Sequence, residues 1–140
     1  RRSSDLEPMK TIIGQLEIIL YVSDQSRSRR FYAAILGQDP VLDVPGMTEF
    51  MLTDSCKLGL MPETGIVKIL KDKTPHPGSG NGIPRCELYL HTADIEKSFA
   101  LAKQVGALVI SEIEPRDWGD IVGYVSDPDG HVIAFAKSLG

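Results

Sequence analysis

Cysteine is scarce in this chain of 140 residues: Cys56 and Cys86 are the only two. Two thiols without a CxxC spacing cannot build a disulfide framework. They read as small core residues in a reducing compartment, with the cytoplasm as the expected location. Long apolar runs are missing as well. The longest is Phe31 to Leu36, six residues, where a membrane-spanning helix needs about 20. Arg1-Arg2 is followed by polar Ser3-Ser4-Asp5 rather than an apolar stretch, so no secretory leader is expected. Positive charge is in deficit: 15 Lys and Arg stand against 19 Asp and Glu, a net charge of −4. That balance argues against nucleic acid and against an anionic membrane as partners. Common chemical motifs are absent too. There is no GxSxG for a serine nucleophile, and no GxGxxG or GxxxxGK(S/T) for nucleotide phosphates. Gly78-Ser-Gly-Asn-Gly82 is glycine-rich but lies between a Pro-rich stretch and Ile83-Pro84, which reads as a linker.

What is present is the composition of a folded domain, 42% hydrophobic and 24% charged, which excludes a disordered chain. The length suits one domain, or two small halves sharing a core. Of the 13 glycines and nine prolines, eight fall between Pro62 and Pro84, and this connector divides the chain into similar halves. The halves repeat one another. Glu17/Glu87, Leu20/Leu90, Asp24/Asp94 and Ser28/Ser98 match at a constant offset of 70. Each half opens on a strand-like segment rich in β-branched and aromatic residues. Asp24 and Asp94 follow as N-caps. Apolar residues then recur at helical spacing over Gln25–Leu36, and again through Ile95, Phe99, Ala102 and Val105. Gly37 and Gly106 sit where a left-handed residue ends a helix. Arg27 and Arg30, one turn apart, read as a solvated helix face or an anion site.

Shorter strands follow each helix: Val41–Val44, Met47–Leu52 and Cys56–Met61 in the first half, Leu108–Ser111, Val122–Val125 and His131–Ala136 in the second. Asp127-Pro-Asp-Gly130 marks a tight turn before the last of them. Residues 65–70 suggest one helical turn inside the connector.

Leu16–Asp24 with Ser28-Arg-Arg-Phe-Tyr32 and Leu36-Gly37, together with the ending Tyr124-Val-Ser-Asp-Pro-Asp-Gly-His-Val-Ile-Ala-Phe135, resemble the vicinal oxygen chelate superfamily of glyoxalases, bleomycin-resistance proteins and extradiol dioxygenases. The resemblance implies an α+β fold of two βαβββ modules, with paired, curved mixed sheets around a cavity and helices outside. The expected layout is a flexible tail over 1–10 and a single domain over 11–137. Within the domain, module one covers about 11–62, the linker 63–83 and module two 84–137. Strand alternation then puts Leu16, Ile18, Leu20 and Val22 under the helices, with Gln15, Glu17, Ile19 and Tyr21 facing the cavity. In module two, Cys86, Leu88 and Leu90 pack outward and Arg85, Glu87, Tyr89 and His91 face inward.

In metal-using members of that superfamily four strand positions supply His, Gln or Glu. By motif register they fall here on Glu17, Gly59, Glu87 and Ala134. Glycine and alanine cannot ligate, and a catalytic transition metal usually takes three protein ligands. No metal or other cofactor is therefore expected; a divalent metal held through water by the two carboxylates is the alternative. Three uses of Glu17 and Glu87 stay open: salt-bridged remnants, with Arg85 beside Glu87; contacts to a ligand; or general base and metal ligand. His91 and His131 read as structural rather than catalytic, and His76 as exposed in the connector. Trp118, in Arg116-Asp-Trp-Gly119, either plugs the core from its loop or caps the cavity with an aromatic face.

The expected function is binding of a small molecule in a groove lined by Glu17, Tyr21, Glu87, Tyr89, Arg116 and Trp118. The alternatives are a metal-dependent glyoxalase-like lyase or isomerase or a dioxygenase-like enzyme, using Glu17 or Glu87 for proton transfer, and an interaction module whose cavity is filled. The expected partners are a small-molecule ligand and a second copy of the chain.

Overall fold

The computed structural model describes residues 13–140, so the expected N-terminal tail lies outside the described residues. Module one runs β1 (Leu16–Val22), α1 (Gln25–Leu36), β2 (Leu42–Val44), β3 (Met47–Thr53) and β4 (Cys56–Pro62). Module two runs β5 (Glu87–His91), α3 (Ile95–Gln104), β6 (Leu108–Pro115), β7 (Asp120–Ser126) and β8 (Val132–Ser138). The connector is more ordered than a linker: it opens with α2 (Glu63–Leu70) and continues through two short turns of tighter helix. Each module forms a four-stranded mixed sheet, ordered β1-β4-β3-β2 and β5-β8-β7-β6. The first strand lies parallel to the last in each, and the remaining pairs are antiparallel. No helix among the described residues is long and apolar enough to cross a membrane.

Local chemistry explains the helix ends. The Asp24 carboxylate accepts from the Arg27 amide and Asp94 from the Lys97 amide, each cap stabilising its helix by about 1 kcal/mol. Gly37 takes the left-handed conformation at φ 62° and its amide reaches back to Ala33 and Ala34.

One core joins the modules. Leu20, Val22, Phe31, Tyr32, Phe50, Leu58 and Leu60 from the first pack with Leu88, Phe99, Val125, Ile133 and Phe135 from the second. Strand alternation holds where the helices cover the sheets: Leu20 and Val22 are buried, while Glu17, Ile19 and Tyr21 lie on the opposite face. Three expected core residues do not follow it. Leu16, the first residue of β1, is exposed. Cys86, just before β5, is exposed, and Cys56, the first residue of β4, is half-buried. Gly123 has a packing reason. A Cβ there would lie 2.7 Å from the Phe99 ring and 2.8 Å from Ile113, so α3 rests directly on the backbone of β7.

Candidate functional site

On the helix-free face of the first sheet, Gly59 creates the local geometry. It lies between Ile19 of β1 and Glu49 of β3 in register. With no side chain at Gly59, the Glu17 carboxyl leans over it; a Cβ there would come within 2.5 Å of Oε2. Glu17 thereby stands beside Glu49. Burial, then the neighbouring Glu49 carboxyl, push the Glu17 pKa above its ordinary value, with Lys57 opposing them. Lys57 Nζ lies 3.4 Å from Glu49 Oε1. Its Oε2 is buried with no hydrogen-bond partner among the described residues. Glu49 and Lys57 were not anticipated from the sequence. Both are mid-strand charges at alternate positions of β3 and β4, but only the strand register shows that they meet Glu17.

Glu87 behaves differently from its repeat partner. It is exposed, and the expected pairing with Arg85 is not formed among the described residues. On this face of the second sheet Val122, Ala134 and Ala136 are fully buried beneath Tyr89 and Tyr124. The Tyr89 hydroxyl donates to Asp120 at 2.6 Å and accepts from the Trp118 indole N–H at 2.8 Å. Trp118 is nevertheless 58% exposed, so it does not plug the core. Arg116 is turned into its own hairpin. Its guanidinium donates to Ser111 Oγ and to the carbonyls of Glu112 and Val122, and lies 5.2 Å from the centre of the Tyr124 ring.

Between the modules lies a cleft of about 790 Å³. Its walls are Ile19 and Tyr21 of β1, Glu63 at the start of α2, connector residues 80–86 including Arg85, Leu108 of β6, and the turn Ser126–His131. Of the six side chains expected to bind ligand, Tyr21 alone lines it. Glu17 belongs to the carboxyl pair, Tyr89 and Trp118 to the aromatic cluster, Arg116 to its hairpin and Glu87 to the surface.

The turn that closes this cleft is tied to module one. Asp127 is buried, with Oδ1 accepting from the amides of Asp129 and His131, and Oδ2 from the Tyr32 hydroxyl at 2.6 Å and facing His131 Nδ1 at 2.7 Å. Asp129 accepts from the Ser23 amide and hydroxyl and from Ser28. Arg27, read as part of a solvated helix face or an anion site, keeps 43% of its side chain exposed while donating to Ser23 Oγ and lying 3.6 Å from Asp129. Asp127, Asp129 and His131 bring ligand-type atoms within 4.8 Å of one another. Their carboxylate oxygens are already occupied by these donors, so the group reads as a hydrogen-bonded latch between modules rather than a cation site. Burial opposes charge on both Asp127 and His131. Their mutual contact outweighs it, lowering the Asp127 pKa and raising that of His131.

Comparison with known proteins agrees with this architecture. The family model described as Glyoxalase/Bleomycin resistance protein/Dioxygenase superfamily matches residues 13–135. An uncharacterized protein of Mycobacterium bovis is 27% identical over 115 residues, 80% of this chain and 75% of that one. Among solved structures, a glyoxalase-related enzyme from Fulvimarina pelagi superposes with a TM-score of 0.76 at 19% identity, over 93% of this chain and 89% of that one. A glyoxalase/bleomycin resistance protein/dioxygenase family enzyme from Burkholderia phytofirmans also gives 0.76, at 14% identity over 88% and 97% of the two chains. At these identities the two structures speak for the fold alone.

Proposed function

The chain belongs to the Glyoxalase/Bleomycin resistance protein/Dioxygenase superfamily, and on that premise we propose that it binds a small molecule in the cleft between its modules, without the metal that many relatives use. The observation that carries the reading is the cleft itself. Its volume of about 790 Å³ is that of a small-molecule site, roughly 300–1,000 Å³. On its wall Ile19 and Tyr21 keep 41% and 36% of their surface uncovered, and a ligand that buried them would gain roughly 25 cal/mol for each Å² of apolar area removed from water.

The metal-free part rests on the four family positions. Gly59 and Ala134 carry no ligand atom, and Ala134 is covered by Tyr89 and Tyr124. Glu17 is engaged with Glu49 over Gly59. Elemental analysis finding near one Zn, Ni, Fe or Mn per chain, lost on Glu17→Gln, would overturn this part.

Screening the purified protein against a metabolite and antibiotic panel by ligand-observed NMR tests the binding. A hit from the cleft should be weakened by about 1–3 kcal/mol on Tyr21→Ala and left unchanged by Trp118→Ala. The reverse pattern would move the site to the aromatic cluster of the second sheet.

A further inference from the structure

We propose that His131 is an acid–base residue of the cleft: its imidazole, anchored by Asp127, presents Nε2 to a bound small molecule and exchanges a proton there. This rests on the cleft being the ligand site and adds the chemistry performed in it. The anchoring is tight. Asp127 exposes none of its side chain, and its two oxygens face four partners between 2.6 and 2.8 Å. A carboxylate fixed in this way cannot turn, so Nδ1 keeps its proton toward Asp127 and the exchangeable proton sits on Nε2. His131 lines the cleft and keeps 26% of its side chain exposed. Its Nε2 makes no hydrogen bond among the described residues. The latch between modules is complete without that nitrogen.

The charges around the ring set its range. Asp127 and Asp129 face it from its own turn and Glu63 from the start of α2, and all three favour the imidazolium. Tyr32 reaches it only through Asp127. Arg27 is drawn to Asp129, and Arg85 lies on the cleft wall. Ile19, Tyr21 and Leu108 give the cleft an apolar side, while Arg85, Asn81 and the Ser126–His131 turn give it a polar one; a small ester, with an apolar body and a polar carbonyl, is the substrate class that suits both. For an ester, neutral Nε2 takes a proton from water as the water oxygen bonds to the carbonyl carbon. The bond from that carbon to the leaving oxygen then breaks, and the imidazolium returns its proton to the departing alcohol. The products are one acid and one alcohol, and no redox partner is involved.

The test uses p-nitrophenyl acetate with the full chain, between about pH 5 and pH 8, where histidine changes charge. His131→Gln should lower the second-order rate by about a hundredfold while thermal melting shows it folded. His91→Gln, on the surface of the second sheet, should leave the rate unchanged. The wild-type rate should climb with pH along the same curve as the proton NMR titration of the His131 ring. A His131→Gln rate within about twofold of wild type, or a rate profile that does not track the ring, overturns the proposal. Asp127→Asn should flatten that profile; if this variant fails to fold, the His131→Gln comparison decides alone. Failure of the cleft reading has its own signature: Tyr21→Ala and Ile19→Ala leave the rate untouched while His131→Gln abolishes it.

Discussion

Trp118 carries its indole mostly in solvent, yet a hydrogen bond to Tyr89 fixes it on the second sheet. Trp118→Ala is therefore expected to cost less than about 1 kcal/mol, since surface changes seldom cost more. Phe50→Ala or Phe135→Ala, at fully buried positions, should cost about 3–5 kcal/mol. Urea denaturation of the three variants checks this, and a large loss in the tryptophan variant would restore the core-plug reading. Glu17 gives a second prediction at this scale. Its folded pKa is raised above 4.5, so the stability it contributes is present below that value and is lost as pH rises through the folded value. Glu17→Gln should thus be more stable than the natural chain at neutral pH and equal to it in acid. A stability difference that did not vary with pH would show that Glu17 is not titrating in this range.

The Asp127–His131 turn acts as one element, joining the β7–β8 connection to the start of α1. Its two ionisable partners have opposite signs of linkage. Asp127 is lowered from 3.8, so its contribution is present above 3.8 and fades as pH falls through the folded value. His131 is raised from 6.5, so its contribution is present below 6.5 and fades as pH rises through the folded value. The latch is therefore at full strength between 3.8 and 6.5. His131→Gln should remove the alkaline decline in a stability–pH curve and weaken the acid decline too, because the His131 contact is the main cause that lowers Asp127. Tyr32→Phe deletes a buried donor to a carboxylate and should cost about 1.5–3 kcal/mol. The packing of α3 on β7 depends on Gly123. Gly123→Ala drives a methyl into Phe99 and Ile113 and is expected to cost about 1–3 kcal/mol by overpacking, measurable by thermal melting.

Both sheets have open edges, and the β6 edge is the more apolar over successive residues. Leu108, Val109 and Ile110 on β6 are 70%, 37% and 55% exposed, and among the described residues β6 is paired on the β7 side alone. An apolar edge of this kind templates pairing with another strand. Sedimentation is expected to give about twice the 15.3 kDa of one chain, with Ile110→Lys returning the protein to a monomer. A natural chain that sediments as a monomer at every concentration would refute the homodimer.

Much of the fold was written in local signals. The repeat, the aspartate caps, the helix over Gln25–Leu36 and the tight turn at Asp127–Gly130 depend on neighbours a few residues apart, so sequence alone placed them. The alternation of β1 and β5 likewise separated the helix side from the open side. The sequence also determined that Gly59 and Ala134 carry no metal ligand. Tertiary structure decided what meets what. Glu49 and Lys57 reach Glu17 only because three strands align in register around a glycine. Arg116 turns inward because carbonyls of its own hairpin attract the guanidinium, and Tyr89 engages Trp118 across a loop. His131 read as a structural residue beside a turn. It becomes a cleft residue because Tyr32, from the other half of the chain, fixes the carboxylate that orients it. Tyr32 and Asp127 lie 95 positions apart. No short-range pattern encodes such a contact, because the hydrogen bonds and burial that fix it exist only after the two modules share a core.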